Sequence, residues 1–182
     1  MSSWARIATR IRVPLGFLLA VLYFWLAKPT PTSIVAGAVI ALLGVALRAA
    51  ASGHITKNAA LTTTGPYAYT RNPLYVGSIV IAGGFAVAAR SWVIVLLMTA
   101  LFLAIYVPVI RDEEAFLRAQ FPDYVDYEKT VPRFFPRFGV RTTDTSGAFS
   151  RQRYLHHREY NALIGTAAML AALLIKMLWL RR

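Results

Sequence analysis

The sequence contains no cysteine. That absence excludes disulfides, thiolate nucleophiles, iron–sulfur clusters and cysteine-type zinc sites, and it leaves the redox compartment open. Charge is scarce as well: Asp, Glu, Lys and Arg make up 15% of the 182 residues. The glycine fingerprint GxGxxG, which follows a strand in soluble nucleotide-binding domains, is missing, as are internal repeats and low-complexity tracts. Hydrophobic residues are present instead, at 57% of the chain with a mean hydropathy of +0.51. A soluble domain of this length needs more surface charge than this. The apolar residues fall in long blocks and not in short alternating patterns, so lipid is the expected solvent.

Five blocks approach the roughly 20 apolar residues that span a bilayer core. They run over about 11–27, 33–51, 74–89, 91–110 and 162–180, with the fourth the most hydrophobic. The expected fold is all-α, a polytopic transmembrane helical bundle of about five helices. No small-residue cleavage site of signal-peptide type follows the first block, which is read as a retained helix. Residues 1–140 form the expected membrane unit, with polar loops at 52–75 and 111–137. Residues 141–182 form a connector (Arg141–Ser150 rich in Thr, Ser and Gly) and a last helix, where Lys176 is placed to snorkel to the interface. That last helix either crosses, re-enters or lies on the surface.

The net charge of +12 sits between the apolar blocks, so it reads as topology and not as a nucleic-acid footprint. With the N-terminus inside, segments 1–12, 48–73 and 111–160 carry 3, 3 and 9 of the 20 Lys and Arg residues. The positive-inside bias therefore places the N-terminus and both polar loops on the cytosolic side. A single site can be built between the loops.

Three constellations carry the candidate chemistry. The first runs from Gly53-His54 through Lys57, Leu61 and Thr62 to Gly65-Pro66-Tyr67, then Arg71-Asn72-Pro73-Leu74-Tyr75-Val76-Gly77. Gly65-Pro66 breaks the chain, and Pro73 stands where a helix tolerates proline, in its first turn. The second is Arg111-Asp112-Glu113-Glu114, at the end of the most hydrophobic block. Carboxylates beside hydrocarbon are costly unless paired or functional. Adjacent helical positions point about 100° apart, so Glu113 and Glu114 do not face one ligand alike. Glu114 is spaced to pair with Arg118 at i, i+4. The third is Phe121-Pro122-Asp123-Tyr124, Tyr127 and Val131-Pro132-Arg133-Phe134-Phe135-Pro136. The bland reading of each alone is an interfacial loop with Tyr and Arg anchors, or a charged helix end. His156 and His157 read as interfacial and not as metal ligands, and Gly83-Gly84 as helix packing.

Taken in order, GPYxxxRNPxYxG, an apolar helix, an REE-like acidic run and FPxYxxYxxxVPRFFP resemble the isoprenylcysteine carboxyl methyltransferase family and its phospholipid methyltransferase relatives, over about residues 53–137. The resemblance implies a multi-pass, S-adenosylmethionine-dependent methyltransferase with a cytosol-facing cofactor pocket. Carried over by position, the cofactor contacts are Lys57, Tyr67, Asn72, Pro73, Leu74, Tyr75 and Glu113 or Glu114, with Leu61 and Thr62 lining the pocket. Arg111 is the nearest match to the arginine that contacts the acceptor carboxylate, and Glu114 is a second candidate catalytic residue. Asn72 stands where many relatives have His and does not titrate near neutrality. Lys57 replaces a polar amide of some relatives.

The reaction asks for alignment and dryness more than for side-chain chemistry. A carboxylate acceptor needs no base, only a positioning arginine. An amine acceptor needs one, for which Glu114 and His54 are the candidates. No metal is expected. The partners are a lipophilic or prenylated acceptor and the bilayer, with no nucleic acid and with oligomeric state open. The acceptor of choice is a lipophilic carboxylate. The alternatives are a phospholipid amine, an NADPH-dependent membrane reductase and a non-enzymatic scaffold.

Overall fold

A computed structural model describes residues 3–56, 60–137 and 148–179, and they are helical without a strand. α1 covers Ser3–Leu26, α2 Pro31–His54, α3 Pro73–Ala89, α4 Trp92–Leu101, α5 Val107–Gln120, α6 Tyr124–Thr130, α7 Arg151–His156 and α8 Tyr160–Trp179. A 3₁₀ turn covers Gly65–Ala68 and a π turn, Phe102–Tyr106, joins α4 to α5. α2, the continuous α4–π–α5 rod and α8 are each long and apolar enough to cross a membrane, and Val13–Leu26 and Pro73–Ala89 are shorter apolar stretches. Large side chains such as Phe17, Val21, Leu43, Leu96 and Ile175 are exposed on the outside. In a water-soluble bundle these would be a liability; in a bilayer they face a solvent as apolar as themselves. The chain is an integral, multi-pass helical membrane protein.

Local chemistry sets the helix starts. Thr30 and Ser33 form a reciprocal capping box, Thr30 N–H donating to Ser33 Oγ at 2.9 Å and Ser33 N–H to Thr30 Oγ1 at 3.2 Å, with Pro31 in the first turn. Pro73 likewise opens α3. Between them, α2 and α3 pack backbone to backbone. A Cβ at Gly44 would lie 2.6 Å from the Gly77 carbonyl oxygen, and one at Gly84 would lie 2.5 Å from that of Gly37. Gly84 thus serves the packing expected of it, whereas a Cβ at Gly83 would meet nothing.

One expectation about the elements changes, and two others gain detail. The fourth helix does not end at 110 but continues to Gln120, because nothing in Arg111-Asp112-Glu113-Glu114 breaks a helix and Phe121-Pro122 does. Lys176, placed from sequence to snorkel, has backbone partners at the end of its neighbour α1. It donates to the carbonyls of Phe24, Trp25 (2.8 Å) and Ala27 (2.7 Å), satisfying the orphan oxygens and the negative pole at the end of α1. The last helix runs over 20 residues and is long and apolar enough to cross a membrane.

The bundle has two unlike ends. At one, Tyr23, Ala27, Ile34, Ala88, Ile94, Leu173 and Met177 form an apolar core where α1, α3 and α8 finish and α2 and α4 begin. At the other, the end of α2, the start of α3, α5 and the start of α8 converge. Both polar loops lie there.

Candidate active site

That second end holds a cavity of about 560 Å³, within the range of roughly 300–1,000 Å³ typical of small-molecule sites. Of the residues carried over as cofactor contacts, Leu61, Thr62, Tyr67, Leu74, Tyr75 and Glu113 line it, and Arg71, Phe121, Tyr124 and Tyr127 of the flanking motifs join them. The Gly65–Ala68 turn, with Gly65 at φ +59°, turns Tyr67 inward, and a Cβ at Gly65 would collide with the His54 ring. Tyr75, in the first turn of α3, donates to Glu113 Oε1 on α5 at 3.1 Å and so ties the two walls together. The Tyr75 ring meets Tyr106 edge-on at 6.1 Å, and Tyr106 stacks on Phe102.

The loop is held from behind by the VPRFFP segment. Arg71 N–H donates to Pro132 O at 2.9 Å, Thr70 Oγ1 to Arg133 O at 3.0 Å, Arg137 N–H to Tyr69 O at 3.1 Å, and Tyr127 Oη to Tyr67 O at 2.6 Å. Two motifs far apart in sequence are therefore one structural unit.

Glu114 belongs to this support and not to the cavity wall. It is 3% exposed. It accepts from Arg133 Nε at 3.0 Å and from Asn72 Nδ2 at 3.0 Å, with Arg71 at 3.8 Å. The i, i+4 pairing with Arg118 does not form; Arg118 binds Glu128 instead, at 3.0 and 2.6 Å. Burial explains the exchange, because Arg133 and Asn72 meet Glu114 away from water, while Arg118 points to the exposed side. The Arg118 hydrogen bond holds the Glu128 carboxyl below the usual range, and the Glu114 hydrogen bond raises the Arg133 guanidinium. Asn72 spends its side-chain donor on Glu114 and on Arg133 O, so it acts as a strut. Pro73 is buried beside it.

Arg111 is exposed and absent from the cavity lining. His54 is also absent from it, with Nδ1 2.7 Å from Ala50 O and its ring against Gly65 and Phe149. Lys57 lies outside the described residues.

The cavity's arginines are Arg48 and Arg71, neither of which sequence reasoning selected for that role. Arg71 donates to Glu128 at 3.1 Å and lies 3.4 Å from Tyr124 Oη, but its Nε has no hydrogen-bond partner among the described residues. The same is true of Tyr67 Oη. Burial, then the Glu159 and Glu113 charges, push the Tyr67 phenol well above its usual range, so it stays protonated at neutral pH. Glu159, at the foot of α8, is a further wall residue that sequence reasoning missed. The signal for Arg48 was available: a lone arginine within an apolar helix marks a function or a partner. Among the described residues, no group of three histidine, aspartate or glutamate side chains is placed to hold a metal ion.

A helical membrane protein with a partly open cavity of mixed polar and apolar lining at one end is the class that the geometry defines. Comparison with known families narrows it: residues 11–124 match the model of the phospholipid methyltransferase family. The chain belongs to that family. It is 36% identical over 84 residues to the cobalt-zinc-cadmium resistance protein CzcN of Cupriavidus metallidurans, covering 46% of this chain and 39% of that one. It is 34% identical over 100 residues to the nickel-cobalt-cadmium resistance protein NccN of Alcaligenes xylosoxydans xylosoxydans, covering 52% and 47%. To the protein-S-isoprenylcysteine O-methyltransferase of Schizosaccharomyces pombe it is 37% identical over 81 residues, covering 44% and 34%. The chain thus spans less than half the length of each of these relatives. No solved structure matches it.

Proposed function

We propose that this protein transfers a methyl group from S-adenosylmethionine to a lipophilic carboxylate that reaches the cavity from the bilayer, with the site facing the cytosol. The observation that carries the reading is the convergence, on one cavity, of the GPY and RNPxY loop, the Glu113 carboxylate and two arginines. The residues present suit the cofactor. Tyr67 Oη and Arg71 Nε are buried polar atoms whose missing partners a ligand, or the rearrangement it causes, would supply. Leu61, Thr62, Leu74, Tyr75 and Glu113 would hold the cofactor, with Glu113 suited to its hydroxyls or amine. When bound, S-adenosylmethionine supplies a methyl group already activated by its sulfonium, so no metal or covalent enzyme intermediate is needed.

The protein's own part is to orient and to exclude water. A carboxylate acceptor arrives ionised and asks only for a guanidinium. Arg48 and Arg71, and not Arg111, stand in the cavity wall for that purpose. Tyr106, backed by the stacked Phe102 ring, borders the cavity where the rod becomes lipid-like, which suits an acceptor with an apolar tail. An amine acceptor would have to hand its proton to a wall carboxylate, Glu113 or Glu159; the two arginines favour the anionic acceptor.

Calorimetric titration of S-adenosylmethionine into the detergent-purified protein tests the reading. Wild type is expected to bind in the micromolar range. Glu113→Gln and Tyr75→Phe are expected to weaken binding about tenfold, the usual worth of a hydrogen bond to a charged group. A folded wild type that binds none overturns the proposal.

A further inference from the structure

Arg48 presents two edges to two different partners. Its Nη1 donates to the Leu74 carbonyl at 3.2 Å and lies 2.6 Å from Ser78 Oγ, which fastens the guanidinium to the first turns of α3. Its Nε and Nη2 meet the two oxygens of Glu159 at 3.0 and 2.8 Å. This is the fork-on-fork geometry by which arginine recognises any carboxylate. Both residues line the large cavity, and their side chains keep 23% and 13% of their exposure, so the pair is reachable. The receptor edge does not depend on Glu159 for its position, because Leu74 and Ser78 hold the other edge.

Glu159 lies beyond the family-matched residues, on a segment that packs over the site. Ser150 N–H donates to Gly53 O at 2.9 Å, and Arg153 Nη1 donates to His54 O at 2.9 Å. Its neighbour Arg158 stands at φ +53°, a left-handed conformation that disfavours a non-glycine residue and marks the joint between α7 and α8. A carboxylate is therefore docked into the cavity's arginine from a jointed segment.

We propose that Glu159 is an internal carboxylate occupying the acceptor's receptor, and that a carboxylate acceptor binds by displacing it from Arg48. The inference rests on the carboxylate-acceptor reading above. The exchange is neutral: one carboxylate leaves the guanidinium edge as another takes it, and no proton moves. Its consequence is selectivity. A small carboxylate must compete with an intramolecular ligand at high effective concentration and loses. A carboxylate with an apolar tail adds the burial energy that tips the exchange. Glu159 thus sets specificity by opposing the acceptor.

The test is equilibrium binding of N-acetyl-S-farnesylcysteine and of its carboxamide, without cofactor, to the full-length protein and to Glu159→Gln and Arg48→Met. Glu159→Gln is expected to bind the carboxylate about tenfold more tightly than wild type, the scale of one charged hydrogen-bond pair, and the carboxamide equally. Arg48→Met is expected to lose the preference for carboxylate. If Glu159→Gln, shown folded by circular dichroism, binds the carboxylate no more tightly, the proposal is overturned. Absence of a carboxylate preference in both wild type and Glu159→Gln overturns it too. Wild type gives an independent readout: the carboxylate, and not the carboxamide, should speed tryptic cleavage at Arg151, Arg153 or Arg158, and unchanged cleavage speaks against displacement. Because no cofactor is added, failure of S-adenosylmethionine binding remains a separate result that strikes the methyltransferase reading alone.

Discussion

Glu113 and Glu114 are adjacent in sequence and opposite in placement. The first borders the cavity with the Tyr75 hydroxyl on it; the second is buried under Arg133 and Asn72. Replacing Glu114 by Gln leaves Arg133 and Arg71 without their shared anion. We expect a loss of about 2–3 kcal/mol, below the full value for a buried pair because the Arg133 side chain is 40% exposed. Glu113→Gln should leave stability nearly unchanged and act on ligand binding. Thermal unfolding of both variants in detergent checks the contrast, and equal losses would mean the two roles are not separated. Helix geometry alone said that the two carboxylates diverge, but not which one faces inward, since that depends on where α6 and the VPRFFP segment pack. For the same reason Arg111 looked eligible from sequence and Arg71 did not: the nearest charge along the chain was not the nearest in space.

The rod from α4 to α5 shows what a single proline does within an apolar helix. Pro108 has no N–H to return to the Ala104 carbonyl, four residues back. The helix relaxes into the π turn, with Val107 N–H donating to Phe102 O. The freed Ala104 oxygen accepts from the indole of Trp4 on α1 at 3.0 Å. In a hydrocarbon setting such an oxygen needs a partner. Trp4→Phe should therefore cost about 1 kcal/mol, and much less in a Pro108→Ala background, where a backbone N–H is restored. Unfolding midpoints of the four proteins give the coupling, and strict additivity would argue that the indole bond is incidental. The existence of these helices was legible in their apolar blocks. The continuation to Gln120 was not, because a change of solvent preference along a helix looks from sequence like the end of the helix.

At the scale of the molecule, both polar loops meet at one end and the apolar core lies at the other. We propose, from the positive-inside bias, that the site end faces the cytosol. The absence of native cysteine makes this simple to check with single introduced ones. A membrane-impermeant maleimide applied to the outside of intact cells should label Arg90→Cys, between α3 and α4, and spare Gln152→Cys, on α7. The reverse pattern would invert the molecule. That the two loops share a side was legible from charge alone. The role of α7 and α8 was not, because their contribution to the site reduces to Glu159, and a lone acid in a basic stretch carries no motif.

The lysine that closes the end of α1 belongs to α8, the last helix to be synthesised among those described here. Until α8 is in place, the carbonyls at the end of α1 have no such donor. The last turn of α1 is thus completed by a side chain some 150 residues further along the chain, so the two helices are fastened end to end.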